Sequence, residues 1–279
     1  MDLNPDQMIA MQKIAPTSIH ARIFDLFNQW TYRRADDIVV LDRFMAGRVL
    51  AKIDVAAKIR IIPPWPHDDK LEDIAHEANP FRKEFGLNGK FVVMYSGNHS
   101  PANPIATVLN AAARMQDDPR LVLMCIGGGS AKQDIDDRIA AGARNIISLP
   151  YQPFEKIRYS LSAADVHIVS VGNDVVGIVH PCKVYGAMAV SRPILLLGPS
   201  PCHVSEIIEQ NRIGWHISHG DVDGAQRALR EMLDTPASEL RKMGQLSATV
   251  IAGSLSRTKL IRQFCDVLER ARPGQATRG

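Results

Sequence analysis

The 279-residue chain has no apolar run near the roughly 18 residues that a membrane span requires. Its first residues, MDLNPDQ, lack the basic stretch and apolar core of a secretory leader. The expectation is a cytoplasmic chain, neither secreted nor integral. Cysteine is scarce: Cys125, Cys182, Cys202 and Cys265 are scattered without CxxC or Cys/His ligand spacing, which excludes a disulfide framework and leaves no metal site to expect. Charge of one sign is also lacking. The net charge of +3 is too small to argue for nucleic acid, although an anionic ligand or a membrane surface remains compatible. Two phosphate-binding signatures are missing as well. No G-x-G-x-x-G spacing follows the run Gly127–Gly129 and no G-x-x-x-x-G-K-[ST] occurs, which disfavours a nicotinamide enzyme and an ATPase.

With 46% hydrophobic and 23% charged residues, the composition fits a globular chain with one large core or two smaller ones, not a disordered or fibrous one. An extended entry leads to a helix from about Pro16, in which Ile19, Ile23, Phe24, Phe27 and Trp30 recur at helical spacing. That apolar face packs into the core of its own domain or docks on a membrane or a partner. Ile38–Leu41, Arg43–Ile53 and Ile59–Ile62 then read as strand, helix and strand. Two strands are few for a parallel sheet, so residues 1–63 read as the tail of a larger domain. The proline-rich joint Pro63–Asp69 marks the boundary. Asn79 and Pro80 form a cap and first-turn pair for a short helix.

From Phe91 onward strands and helices alternate. Strands are expected at Phe91–Ser96, Leu121–Ile126, Ile146–Leu149, Val166–Ser170, Ile194–Leu197 and Gly214–Ile217, with crossover helices between them. This pattern implies a doubly wound, Rossmann-like parallel sheet of order 3-2-1-4-5-6, with its ligand beyond the carboxyl ends of strands one and four. Two unusual loops fall there: SGNHSPANP, Ser96 to Pro104, and VGNDVVGIVHP, Val171 to Pro181. Gly97 can turn with positive φ and expose backbone N–H groups to a ligand, and Asn98 and His99 can orient a sugar or phosphate or simply finish the turn. The second loop, with Gly177 and His180, leads into a helix beginning around Pro181, whose free N–H groups and Lys183 make an anion seat. Asp165 and His167, flanking a strand start, read as a cap and a half-exposed histidine rather than as catalysts.

The run PCKVYGAMAVSRPIL resembles the P-S-K-[LI]-Y-[EG]-x-[ML]-A-x-G-[RK]-P-[VI] segment of family 4 retaining glycosyltransferases, in particular the bacterial enzymes of O-antigen and colanic-acid type. Pro181, Lys183, Tyr185, Met188, Ala189, Arg192 and Pro193 fall in register. Cys182 replaces a small hydroxyl residue, Ser191 stands where glycine is common, and the acidic pair of many members is represented by Ile178 and Gly186. The basic residues that many members place after the first glycine turn are not evident in His99–Pro104.

The resemblance implies a GT-B fold: one complete Rossmann-like domain, residues 64–253, preceded by the C-terminal remnant of a second such domain, residues 1–63. A crossing helix and tail, residues 254–279, would follow, with the tail after Arg270 disordered. It implies a nucleotide-diphosphate-sugar donor held by Gly97, Asn98, Gly127, Gly128, Gly177, His180, Pro181, Lys183 and Tyr185, the glycines at 127 and 128 standing for the family's I-G-x-G turn. The loop Tyr151–Phe154 would lie beside the base, or is a plain proline-punctuated loop. Transfer would retain configuration without metal or other cofactor, no catalytic residue being identifiable, and the acceptor would be a lipid-linked saccharide at the inner face of the cell membrane, with peripheral membrane contact. The alternative is a non-catalytic nucleotide-sugar-binding fragment or subunit of a split enzyme, with a missing N-terminal domain or partner chain. A GT-B epimerase would need acid–base carboxylates that the sequence does not offer.

Overall fold

A computed structural model describes residues 3–65 and 71–270 of the chain. Part of the Pro63–Asp69 joint and the whole tail after Arg270 lie outside the described residues. Two compact units emerge. One gathers the described residues of Met1–Trp65, Asp174–His180 and Ala252–Gly279, the other those of Pro66–Asn173 and Pro181–Ile251.

In the first unit a short helix α1 (Asp6–Ala10) replaces the extended entry expected from the sequence, and α2 spans Ile19–Arg34. Ser18 accepts a hydrogen bond from the Ala21 amide at 3.2 Å and so caps α2. Strands β1 (Ile38–Val40) and β2 (Ile59–Ile61) pair in parallel around α3 (Arg43–Leu50), which starts where the Asp42 carboxylate accepts from the Met45 amide at 2.8 Å. Val40, Leu41, Met45, Ala46, Val49 and Val55 form the small core, with Tyr32, Ile38 and Ile59 packed against it.

The apolar face of α2 is not in that core. The helix turns Ala21, Asp25, Asn28 and Tyr32 inward: Ala21 is buried, Asp25 pairs with Lys52 at 2.6 Å and Asn28 donates to the Asn4 carbonyl at 2.5 Å. Ile19, Ile23, Phe24, Phe27 and Trp30 are each at least half exposed, with Phe27 at 61%. The polar partners on the inner side fix the rotation of the helix, so the apolar stripe points to solvent.

The second unit opens with α4 (Pro80–Glu84), where Asn79 accepts from the Phe81 amide and Pro80 occupies the first turn. Its sheet holds β3 (Phe91–Ser96), β4 (Leu121–Ile126), β5 (Ile146–Leu149), β6 (Val166–Ser170), β7 (Ile194–Leu197) and β8 (Gly214–Ile217), at the bounds read from the sequence. All neighbours are parallel and the order is β5-β4-β3-β6-β7-β8. Side chains alternate across β3: Val93 and Tyr95 enter a core with α5 (Ala106–Arg114) residues such as Val108, while Val92 and Met94 enter a second core with Phe81 and Ala163. Covered on both faces, β4, β6 and β7 are buried at every position; β4 and β7 accordingly read as unbroken apolar runs, while β6 also buries His167 and Ser170. With α5, the crossovers are α6 (Gln133–Ala140), α7 (Ile157–Ser162), α8 (Lys183–Ala189) and α9 (His203–Asn211), followed by α10 (Val222–Asp234) and α11 (Ala237–Ala252). The last helix, α12 (Arg257–Arg270), groups with the first unit.

Candidate functional site

The winding reverses between β3 and β6, and the loops leaving these two strands are tied together. The Gly172 amide donates to the Ala102 carbonyl at 2.9 Å, and the Ser170 hydroxyl donates to the Pro104 carbonyl at 2.6 Å. The start of the second stretch therefore meets the first at the carboxyl edge of the sheet, where such folds hold ligands, while Asp174–His180 groups with the first unit.

Glycines let the backbone interlock there. Gly97, Gly127 and Gly129 have φ of 133°, 131° and 135°, a region that side chains rarely adopt. A Cβ on Gly127 would strike the Gly97 carbonyl, one on Gly129 the His99 carbonyl, and one on Gly97 would lie 2.5 Å from the Lys183 Cε. Amide bonds close the arrangement, Gly97 to the Ile126 carbonyl at 2.9 Å and His99 to the Gly128 carbonyl at 2.8 Å. Asn98 is exposed beside them, and the Tyr95 hydroxyl donates to its carbonyl at 2.7 Å. His99 is buried against the Tyr95 ring, 4.8 Å between centroids, and burial pushes its imidazole below the usual value.

Lys183 lies across this turn. Its ammonium sits 4.9 Å from the centroid of the Tyr95 ring, a cation–π arrangement, and no carboxylate among the described residues pairs with it. Burial pulls its pKa down to about 8. An ammonium desolvated without a counter-charge is poised to gain from an anion.

The other residues predicted for the site divide. Gly97, Asn98, Gly127, Gly128 and Lys183 come together. Pro181 does not occupy the first turn of α8: Cys182 is the cap residue, and the entry is closed by tight bonds from the Val184 amide to the Pro181 carbonyl and from the Tyr185 amide to the Cys182 carbonyl. Tyr185 is buried, sharing a 2.9 Å hydrogen bond with His203 Nε2. Gly177 and His180, expected with the second domain, belong to the first unit. A Cβ on Gly177 would lie 2.5 Å from the Phe44 carbonyl, and His180 Nδ1 lies 2.7 Å from an Asp42 carboxylate oxygen, both side chains buried. The Tyr151 hydroxyl donates to the Gly128 carbonyl at 3.3 Å.

Sequence reasoning passed over Tyr95, whose ring carries Lys183, and Lys132, whose ammonium donates to the Gly127 and Leu149 carbonyls at 3.0 and 3.2 Å. Tyr95 stands next to the marked SGN turn, a position from which it could have been found. Other prominent groups are structural. Arg192 donates to the Ala164 and Ser162 carbonyls and pairs with Asp73 at 2.6 Å. Asp165 accepts from the Val92 amide at 2.7 Å, and His167, fully buried and pushed down to about 4, donates from Nε2 to the Leu161 carbonyl.

Comparison with known proteins follows the same lines. The profile of the family described as "Glycosyl transferases group 1" matches residues 77–248. A probable glycosyltransferase of Pseudomonas aeruginosa, WbjE, is 24% identical over 94% of this chain and 65% of its own. A putative colanic acid biosynthesis glycosyl transferase of Escherichia coli K12, WcaI, is 21% identical over 88% of this chain and 60% of its own. The chain thus spans less than two thirds of the length of these curated relatives. The fold is that of Anabaena HepE solved with UDP and glucose, at a TM-score of 0.75 and 13% identity over 94% of this chain and 69% of that one. It is also that of WaaG, a glycosyltransferase of lipopolysaccharide biosynthesis, at a TM-score of 0.74 and 14% identity over 95% and 72%.

Proposed function

Starting from the fact that the chain belongs to the group 1 glycosyl transferases, we propose that its second unit binds a nucleotide-diphosphate sugar and that the chain serves sugar transfer in surface-polysaccharide synthesis. The observation that carries this reading is Lys183, a desolvated ammonium held over the glycine turn at the carboxyl edge of β3 with no carboxylate partner among the described residues. A diphosphate at that turn would meet the ammonium and the backbone N–H groups exposed by the glycine loops. As the bond to the sugar breaks, negative charge grows on the departing diphosphate, and a cation already in place stabilises it without reorganisation. Gly97, Asn98, Gly127 and Gly128 would shape the phosphate and sugar side. Tyr185, through its bond to His203, positions α8 rather than meeting the donor directly.

Retention of configuration, independence of metal and a lipid-linked saccharide as acceptor rest on the resemblance to family 4. Among the described residues no cluster of three metal-ligating side chains gathers. Calorimetric titration with UDP and GDP tests the donor reading. Saturable binding of one nucleotide, weakened at least about tenfold in Lys183→Ala, is the expected result, and no binding of either by the folded protein overturns it. A second reading has the chain bind the donor and transfer nothing unaided. It is favoured by the first unit, whose sheet has two strands among the described residues. Donor binding without transfer, restored when an acceptor-side polypeptide is supplied, would distinguish it.

A further inference from the structure

The three glycines after β4 are tied down by their carbonyls. Lys132 donates from its ammonium to the Gly127 carbonyl at 3.0 Å and from its amide to the Gly129 carbonyl at 3.2 Å. Between them, the Gly128 carbonyl accepts from the His99 amide at 2.8 Å and from the Tyr151 hydroxyl at 3.3 Å. The Lys132 ammonium also donates to the Leu149 carbonyl at 3.2 Å, so one side chain joins the turn to the end of β5. In a trans peptide the carbonyl and the N–H that follows it point in opposite directions. Each held carbonyl therefore aims the next amide away from the groups that hold it. The amides concerned, those of Gly128, Gly129 and Ser130, find no acceptor among the described residues, and Gly129 and Ser130 are exposed. Consecutive free amides on a glycine turn suit an anion.

Glycine also makes such a turn easy to lose. A peptide plane flanked by glycines can flip at little steric cost, which would bring the carbonyl outward and the amide inward. The Gly127 carbonyl has Lys132 as its only donor among the described residues, so the plane that carries the Gly128 amide depends on that ammonium. The turn adjoins Lys183. A Cβ on Gly97 would lie 2.5 Å from the Lys183 Cε, and one on Gly127 would strike the Gly97 carbonyl, so the second ammonium and the glycine turn border the same residue.

We propose that Lys132 is a positioning residue of the donor site: by holding the Gly127 and Leu149 carbonyls it keeps the Gly128, Gly129 and Ser130 amides turned toward a diphosphate oxygen, as a second set of donors beside Lys183. The inference deepens the donor reading and rests on it. Lys132 itself touches backbone, and the amides that it orients touch the ligand.

Lys132→Met keeps the length of the side chain and removes its donors. Titration with UDP and uridine, or with GDP and guanosine if the guanine nucleotide is the one that binds, should show the diphosphate weakened about tenfold and the nucleoside unchanged. Lys132→Arg, which retains donors for the two carbonyls, should recover most of the loss. Circular dichroism establishes that both variants are folded. A loss shared equally by diphosphate and nucleoside would make Lys132 a merely structural residue and overturn the proposal, as would unchanged diphosphate binding by folded Lys132→Met. A second measurement needs no variant: in the ¹⁵N-labelled wild-type chain the amide protons of Gly128, Gly129 and Ser130 should shift downfield on saturation with the nucleotide. Saturation that leaves them in place overturns the proposal. If the wild type binds neither UDP nor GDP, the donor reading falls and this inference with it. If Lys183→Ala weakens binding and Lys132→Met does not, this inference alone falls.

Discussion

At the scale of single residues, the proposed donor site rests on Lys183, held over the turn after β3. Burial lowers the folded pKa of Lys183 from 10.5 to about 8, so between these values the unfolded chain holds more protons and the stability of the unliganded protein rises with pH. Below about 8 both states are charged and the cost of burying the ammonium is fully present. A bound diphosphate reverses the sign by favouring the charged form. Nucleotide affinity should therefore be flat below about pH 8 and fall as the pH rises beyond it, about tenfold per unit until the pKa of the complex is reached, with proton uptake measurable by calorimetry in buffers of different ionisation heat. A pH-independent affinity across that range would remove Lys183 from the site. The neighbouring glycines make different demands. Gly127→Ala forces a side chain into the Gly97 carbonyl at a φ of 131° and should cost about 2 kcal/mol or more in chemical denaturation. At Gly128 a Cβ would meet only the movable edge of Tyr151, at 3.3 Å, so Gly128→Ala should be tolerated.

At the scale of elements, legibility follows burial. The inner strands β4 and β7 were readable because a parallel sheet covered on both faces demands continuous apolar runs of strand length. Ends set by local capping, such as Asn79 and Pro80, were readable for the same reason: donor and acceptor lie within three residues. What escaped was long-range. Nothing near His180 announces Asp42, 138 residues away, so the return of Asp174–His180 to the first unit had no local signature. The rotation of α2 was likewise set by Asp25 with Lys52 and Asn28 with Asn4, and the apolar periodicity alone could not decide between core and surface. One departure from the family pattern has a structural consequence. Ser191 ends α8 in the left-handed region, at φ 55°, where the Arg192 amide donates back to the Ala187 carbonyl at 3.1 Å. Glycine adopts this conformation without the penalty that a Cβ incurs. Ser191→Gly should therefore raise stability by about 1 kcal/mol, read as a shift in denaturation midpoint at unchanged slope.

For the whole molecule, the two units differ in what holds them. Among the described residues the second has a six-stranded sheet with a core on each face, whereas the first has two strands and one small core, less than an independent sheet normally needs. Local opening should follow this difference, so that amides of β1 and β2 exchange with solvent well before those of β3, β4 and β6. Ligand binding then separates the residues proposed for the donor. Nucleotide at about a hundred times its dissociation constant should slow the most protected amides of the second unit by about a hundredfold, because opening must first release the ligand. Exchange at β1 and β2 should stay unchanged if the nucleotide touches only the second unit. The segment Asp174–His180 is the informative one: it belongs to the first unit, yet it carries Gly177 and His180. Slowed exchange there would bring both residues into the donor site. Unchanged exchange, with β3 and β4 protected, would leave His180 as the buried partner of Asp42 and confine nucleotide recognition to the glycine turns and Lys183.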